Sequence, residues 1–140
     1  MEKVTDILNR KQQHFRTVKS NCAASDALYQ MSCENVEHLA VMDGDRFMGM
    51  ITEHDIASKG MFSKKPLNKI HVKEVMNTGL PVITTDDTVE RCMKLMQQHK
   101  VRYLPVFEGF HFMGVVSSDD IIEEAVSNRD RIFDPVEARR

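Results

Sequence analysis

The apolar and polar positions of this chain follow the same order twice. In each pass a short apolar strand leads through a polar turn into a helix, and a hairpin of two apolar strands then leads into a second helix. The helical spacing of the first helix is carried by Ala24, Ala27, Leu28 and Met31, and again by Val89, Cys92, Met93 and Met96. The predicted order of each pass is therefore β-α-β-β-α.

The predicted elements of the two passes have matching positions. The first strands are placed at 17–18 and 81–83, the hairpin strands at 36–42 with 47–51 and at 101–107 with 112–116, and the second helices after Thr52 and Ser117. Tight turns are predicted at Gly44 and Gly109. Short helical segments at 4–8 and 72–76 precede the two passes.

The two passes are an internal repeat. A shift that places residue 16 on residue 81 aligns 16–56 with 81–121 without a gap. The identical pairs are Met31/Met96, Val36/Val101, Leu39/Leu104, Val41/Val106, Gly44/Gly109, Phe47/Phe112, Met48/Met113, Gly49/Gly114, Asp55/Asp120 and Ile56/Ile121. Each repeat is too small to bury a good core alone, so we expect the two to pack on each other.

The repeat sets the predicted domain boundaries. Repeat 1 is placed at 1–60, a linker at 61–71, repeat 2 at 72–128 and a charged tail at 129–140. The linker contains Lys64-Lys65-Pro66, which breaks the helical pattern. The tail is open to two interpretations, a frayed end or an arm that contacts a partner.

Composition and charge exclude several classes of protein. Of the 140 residues, 41% are hydrophobic and 29% are charged, which is typical of a globular chain. The formal net charge of −2 favours neither nucleic-acid binding nor a polybasic membrane patch. No apolar run approaches the roughly 18 residues that span a bilayer, and 1–6 lack the pattern of a signal peptide. We therefore expect a cytoplasmic protein.

Outside the repeat motif, the cysteine and histidine side chains indicate neither a metal site nor a catalytic site. Three cysteines, Cys22, Cys33 and Cys92, are too few and too irregular for a disulfide framework or a zinc site. Six histidines are scattered without metal-ligand spacing. No nucleophile with a neighbouring base stands out, so no catalytic residue and no obligatory cofactor is predicted.

The repeated motif carries a resemblance. Residues 49–56 read Gly-Met-Ile-Thr-Glu-His-Asp-Ile and residues 114–121 read Gly-Val-Val-Ser-Ser-Asp-Asp-Ile. Both copies fit Gly-x-x-[Ser/Thr]-x-x-Asp-apolar, and 101–106 add a basic-x-Leu-Pro-Val strand. In this order the residues resemble a cystathionine-β-synthase (CBS) domain pair, or Bateman module, over 4–126. The resemblance implies a mixed α/β (α+β) fold of two repeats related by a pseudo-twofold axis, and a stand-alone pair.

The resemblance also implies a ligand and its contacts. Such pairs bind AMP, ADP, ATP, NAD or S-adenosylmethionine in clefts between the repeats, with the motif Asp on the ribose and the motif Ser/Thr near ribose or phosphate. Carried over, the Asp120 cleft has Ser117, Arg102, Tyr103 and, from the other repeat, Thr17, Val18 and Lys19. The Asp55 cleft has Thr52, His38, Ile83, Thr84 and Thr85.

Elementary chemistry supports these assignments. A carboxylate can accept one hydrogen bond on each oxygen from a cis-diol, and a helix N-terminus after Thr52 or Ser117 favours a phosphate. Arg102 adds a fork-shaped cation suited to phosphate. We expect the Asp120 cleft to bind more tightly, because it offers Arg102 and Ser117, although Asp119 adds a negative charge beside Asp120. The Asp55 cleft has His38 and His54 but also the acidic Glu37 and Glu53.

Two alternatives stay open. Thr52-x-x-Asp55 and Ser117-x-x-Asp120 also fit a capping box, which needs no ligand. At the level of function, the leading hypothesis is a regulatory sensor, not an enzyme, that changes conformation to signal to an unidentified partner protein. The alternative is a ligand-independent dimerisation scaffold, with a redox link if Cys22 or Cys33 is exposed and reactive. The resemblance implies a homodimer in both cases, and the apolar Ile122 and Val126 are consistent with one.

Overall fold

The computed structural model describes residues 2–11 and 15–132, and from residue 127 onward only the helical backbone. It divides into two compact units. One is Phe15–Leu80, here called the β1–β3 unit, and the other combines Met1–His14 with Pro81–Arg140, here called the β4–β6 unit. Each unit contains one three-stranded sheet with helices, which confirms the mixed α+β prediction.

The elements follow the predicted order. The β1–β3 unit contains β1 (Thr17–Val18), α2 (Ala24–Glu34), β2 (His38–Asp43), β3 (Arg46–Thr52), α3 (Glu53–Met61), a 3-10 helix (Leu67–Lys69) and α4 (Val72–Val75). The β4–β6 unit contains α1 (Val4–Arg10), β4 (Ile83–Thr84), α5 (Val89–His99), β5 (Tyr103–Glu108), β6 (His111–Ser117) and α6 (Ser118–Ile132).

The two sheets have the same topology. In each, the short first strand pairs in parallel with the middle strand, and the middle strand pairs antiparallel with the third. The hairpins turn at Gly44 and Gly109, with φ of 64° and 63°. A side chain is strained at such φ values, so glycine is the residue that fits both turns. The ladder of each hairpin shifts register at the equivalent place, after Val41 and after Val106.

The two short leading helices lie in the unit of the other sequence repeat. Helix α1 buries Val4, Ile7 and Leu8 in one core with strands β4–β6. Helix α4 buries Val72 and Val75 in the core of strands β1–β3. The compact units therefore differ from the predicted boundaries of 1–60 and 72–128, because the apolar face of each leading helix is covered by strands from the other repeat.

Several predicted boundaries differ from the structure: the middle strands, predicted at 36–42 and 101–107, are His38–Asp43 and Tyr103–Glu108, and the third strands each extend one residue further at both ends. Strand β4 begins at Ile83 rather than at residue 81, where proline has no N–H to donate to a ladder. Helix α6 runs to Ile132, so the first four residues of the predicted tail 129–140 are helical. The remaining tail residues, 133–140, lie outside the described residues. Within the described ranges no helix is long and apolar enough to cross a membrane.

Candidate functional site

The motif Thr and Asp of the β1–β3 unit hold the N-terminus of α3. The Thr52 backbone N–H donates to Asp55 Oδ2 at 3.1 Å, and the Asp55 N–H donates to Thr52 Oγ1 at 3.0 Å. Asp55 is buried, with 8% of its surface exposed. The pair is a complete capping box, which satisfies backbone donors that a helix leaves free at its start.

The β4–β6 unit repeats this arrangement at α6. The Ser117 N–H donates to Asp120 Oδ2 at 2.8 Å, and the Asp120 N–H donates to Ser117 Oγ at 3.2 Å. Asp120 is also 8% exposed. The capping hypothesis is thus confirmed for both motifs. Among the described residues, however, the hydrogen bonds of each carboxylate go to Oδ2 alone, and none goes to Oδ1.

The hairpins bring the predicted middle-strand residues beside these caps. His38 is the ladder partner of Thr52, and Tyr103 is the ladder partner of Ser117. Arg102 precedes Tyr103, and its carbonyl accepts a hydrogen bond from the Ser118 N–H at 2.7 Å. Arg102 is exposed whereas Tyr103 is buried. The structure therefore places Arg102, Tyr103, Ser117 and Asp120 together.

The predicted first-strand residues lie in the sheets of their own units. Thr17 and Val18 pair with Ala40 and Val41. Ile83 and Thr84 pair in the same way with β5. The side chains of Val18 and Ile83 pack in the hydrophobic cores, so these side chains are not exposed at the surface.

The polar members of these strands are partly exposed. The side chains of Thr17, Lys19 and Thr84 are exposed. Thr85 is half-buried, and its carbonyl accepts hydrogen bonds from both the N–H and the hydroxyl of Thr5. That the first-strand residues line the cleft of the opposite repeat stays a prediction.

A lysine that the sequence analysis missed reaches the Asp120 carboxylate. Lys11, the residue after α1, donates from Nζ to Asp120 Oδ2 at 2.9 Å and to the Val115 carbonyl at 2.8 Å. In the other unit Lys59 Nζ lies 3.9 Å from Asp55 Oδ1 and donates to the carbonyls of Val75 and Met76. Each motif carboxylate therefore has an ammonium group beside it, from a different element in each unit.

A second ion pair stands next to Lys11. Arg10 donates to the carboxylate of Glu124, a buried residue of α6. A hydrogen bond with Glu124 raises the pKa of Glu2 above its ordinary value, with burial adding to the rise. Under the repeat alignment Glu124 corresponds to Lys59. This charge reversal is the signal that could have directed attention to a basic partner, because an acid one turn after Asp120 needs cations from another element.

The described residues show neither a metal cluster nor a paired thiol. No group of three or more His, Cys, Asp or Glu side chains within the described ranges could hold a metal ion. Cys22, Cys33 and Cys92 are free thiols. Cys22 precedes α2 and Cys33 lies in its last turn, so roughly 14 Å of helix separates them, whereas a disulfide needs Cα atoms within about 7 Å. The two cysteines therefore cannot form a redox pair in this fold.

These observations define a class and then a family. The chain is a tandem pair of β-α-β-β-α repeats, each with a buried carboxylate at the start of the helix that follows the hairpin. The sequence model of the CBS domain matches residues 4–61 and 72–127, and the chain belongs to the CBS-domain family. Proteins with such pairs are generally regulatory ligand-binding modules.

Three relatives show how close the match is. The chain is 30% identical over 116 residues to the CBS domain-containing protein YhcV of Bacillus subtilis (strain 168), covering 80% of this chain and 79% of that protein. A putative signal-transduction protein with CBS domains from Burkholderia ambifaria MC40-6 superposes with a TM-score of 0.83 at 28% identity, over 89% of this chain and 94% of the other.

The third relative contains bound ligands. The CBS domain pair of protein MJ0100, in complex with 5′-methylthioadenosine and S-adenosyl-L-methionine, superposes with a TM-score of 0.77 at 25% identity. The match covers 91% of this chain and 98% of the other.

Proposed function

We propose that this CBS pair is a regulatory sensor of an adenosine-containing ligand, with AMP, ADP or ATP as the leading candidates and NAD or S-adenosylmethionine as the others. The MJ0100 pair, which binds two adenosine compounds, supports this class of ligand. The ligand is a signal and not a substrate, so we expect no turnover. The regulated protein is a partner outside this chain.

One observation supports the proposal above all others: the Asp120 carboxylate has an oxygen, Oδ1, that no described residue uses. The helix cap fixes this side chain through Oδ2 and keeps it buried. A fixed, partly desolvated carboxylate oxygen is a strong acceptor for a sugar hydroxyl. The start of α6 and the nearby Arg102 add donors and positive charge suited to a phosphate.

The signal follows from differential binding. A ligand shifts a conformational equilibrium only by the difference between its affinities for the two states. An adenine nucleotide held at Asp120 would therefore regulate the partner if it favours one arrangement of the pair. We propose a homodimer as the signalling assembly.

The test compares two neighbouring aspartates on α6. We expect Asp120→Asn to lower the affinity for the bound nucleotide at least tenfold, because it replaces a charged acceptor by a neutral one. The exposed Asp119 provides the control: Asp119→Asn removes the same charge one residue away and should not lower the affinity. Affinity is measured by calorimetry with AMP, ADP, ATP, NAD and S-adenosylmethionine.

Thermal unfolding gives an independent reading of the same experiment. A ligand at 100 times its dissociation constant stabilises the protein by about 2.7 kcal/mol, which raises the midpoint by several degrees. Binding of none of the five compounds to the wild type would contradict the sensor. Equal affinities of wild type and Asp120→Asn would contradict the placement at Asp120.

An exposed apolar face supports a second candidate, a ligand-independent dimerisation scaffold. Ile122 and Val126, one turn apart on α6, are 59% and 49% exposed. A second copy of the chain that covers this face would bury both. The scaffold hypothesis predicts that the wild type is a dimer and that Ile122→Asp is a monomer at the same concentration, as measured by light scattering. It also predicts that neither protein responds to nucleotide.

A further inference from the structure

Lys11 has a hydrogen-bond donor left over at the Asp120 carboxylate. Its ammonium group carries three N–H donors. Two of them go to the Val115 carbonyl and to Asp120 Oδ2. These two hydrogen bonds fix the position of Nζ and therefore the direction of the third N–H. No described residue accepts a hydrogen bond from this third N–H.

The carboxylate has the complementary acceptor left over. Asp120 Oδ2 already accepts from the Ser117 N–H and from Lys11, whereas Oδ1 accepts from neither. A remaining acceptor and a remaining donor therefore lie at the same carboxylate, on either side of the Lys11–Oδ2 hydrogen bond. A vicinal diol matches this pair: one hydroxyl donates its proton to Oδ1, and the oxygen of the other accepts from Lys11 Nζ.

The Asp55 carboxylate lacks this arrangement. Lys59 Nζ donates to the carbonyls of Val75 and Met76, at 3.0 and 3.3 Å, so it caps the end of α4. Its nearest Asp55 atom is Oδ1, at 3.9 Å, which is the oxygen that the helix cap leaves open. At Asp55 the nearby lysine, Lys59, is closest to Oδ1, which accepts no hydrogen bond. At Asp120 the nearby lysine, Lys11, instead donates to Oδ2, the oxygen that the helix cap already uses.

We propose that Lys11 is a specificity-determining residue of the Asp120 site, which binds the second hydroxyl of a ribose diol and so distinguishes ribonucleotides from deoxyribonucleotides. The inference rests on the proposed function, since it assigns a further contact within the same site. The residue that follows α1 thereby contributes to the same site as Ser117 and Asp120 of the second repeat.

The experiment measures discrimination rather than affinity alone. AMP, 2′-deoxy-AMP and 3′-deoxy-AMP are titrated into the wild type, Lys11→Met, Lys11→Arg and Lys59→Met. We expect the wild type to bind AMP about tenfold more tightly than either deoxy analogue, since each lacks one partner. In Lys11→Met the affinity for AMP falls about tenfold, and the discrimination against one of the two analogues falls below threefold.

Two variants separate this role from a structural one. Lys11→Arg keeps the charge and the donors, so it retains more discrimination than Lys11→Met. Lys59→Met removes the matched lysine of the other unit and keeps the discrimination of the wild type. A variant that merely loosened α1 would weaken all three ligands by the same factor.

The outcomes separate the inference from the proposed function. If Lys11→Met keeps the full discrimination, or weakens the three ligands equally, the role of Lys11 is overturned, while a loss of binding in Asp120→Asn still supports the sensor. If the wild type does not bind AMP, the role of Lys11 is overturned. The sensor is then overturned as well only if ADP, ATP, NAD and S-adenosylmethionine also fail to bind.

Discussion

At the scale of single residues, each motif aspartate has its two carboxylate oxygens in different surroundings. Oδ2 accepts the hydrogen bond at the helix start, and Oδ1 accepts none from the described residues. Capping and ligand binding are therefore not exclusive functions of Asp55 and Asp120. The cap fixes the rotamer of the side chain before a ligand arrives, and such preorganisation lowers the entropic cost of binding.

The three thiols differ in exposure, and we expect them to differ in reactivity. Burial, with a smaller effect of the Asp87 charge, raises the pKa of Cys92 to about 11, and burial also raises the pKa of Cys22. Cys33 is exposed on α2. Since the thiolate is the reactive form, we expect one fast-labelled thiol per chain at pH 8 with a disulfide reagent.

The control for this labelling experiment is Cys33→Ser, which should remove the fast phase and leave the slow ones. A fast phase that persists in Cys33→Ser would show that Cys22 or Cys92 opens to solvent. Fast labelling of Cys33 itself would meet the condition for the redox form of the scaffold hypothesis, although the separation of Cys22 from Cys33 excludes a disulfide between the two.

The sequence predicts site residues that are close along the chain and misses those that are far apart. Thr52 with Asp55 and Ser117 with Asp120 are found because a spacing of three residues at a helix start has one geometric meaning. Lys11 is missed because its partner lies 109 positions away. No local pattern encodes that contact; it depends on which strands cover α1.

At the scale of elements, the motif glycine has a structural reason that the sequence does not show. A Cβ built on Gly49 would lie 2.7 Å from the carbonyl oxygen of Asn77. The segment after α4 crosses β3 here, with paired backbone bonds between Met50 and Asn77 at 3.0 and 2.7 Å. Gly49 therefore permits a close backbone approach that joins α4 to the hairpin.

This close approach predicts the effect of a single methyl group. We expect Gly49→Ala to lower the free energy of unfolding by about 1–3 kcal/mol, because the backbone bridge to Asn77 must shift. Gly60→Ala is the control, since its nearest neighbour is the movable end of the Leu67 side chain at 3.2 Å. Chemical denaturation of both variants measures the difference. If Gly49→Ala is as stable as Gly60→Ala, the close approach of Asn77 to Gly49 does not contribute to stability.

At the scale of the whole molecule, each core is completed by a helix from the other sequence repeat. Ile7 of α1 is fully buried with the β4–β6 strands, and Val72 of α4 is fully buried with the β1–β3 strands. The pattern of apolar residues predicts that both helices exist. It cannot predict which sheet covers them, because both sheets present similar apolar faces.

Amide hydrogen exchange tests whether α1 and α4 each pack in the core of the other sequence repeat. We expect Ile7→Ala to lower the free energy of unfolding by about 2–5 kcal/mol and to speed amide exchange in β5 and β6 more than in β2 and β3. The matched variant Val72→Ala should also lower the free energy of unfolding, but it should speed amide exchange in β2 and β3 more than in β5 and β6. If each variant instead deprotects the strands of its own sequence repeat, the assignment of the helices is contradicted.

The position of α1 also has a consequence for the order in which the protein is synthesised. The β1–β3 unit is continuous in sequence, so all its segments exist once residue 80 has been made. Helix α1 is made before them, yet its bonds from Val4 and Thr5 go to Asp87 and Thr85, and its core partners extend to Val116. At 5–20 residues per second its apolar face waits roughly 5–20 s for its strands. A nascent chain must therefore shield Ile7 and Leu8 during that interval, and a delay in translation beyond residue 80 prolongs their exposure.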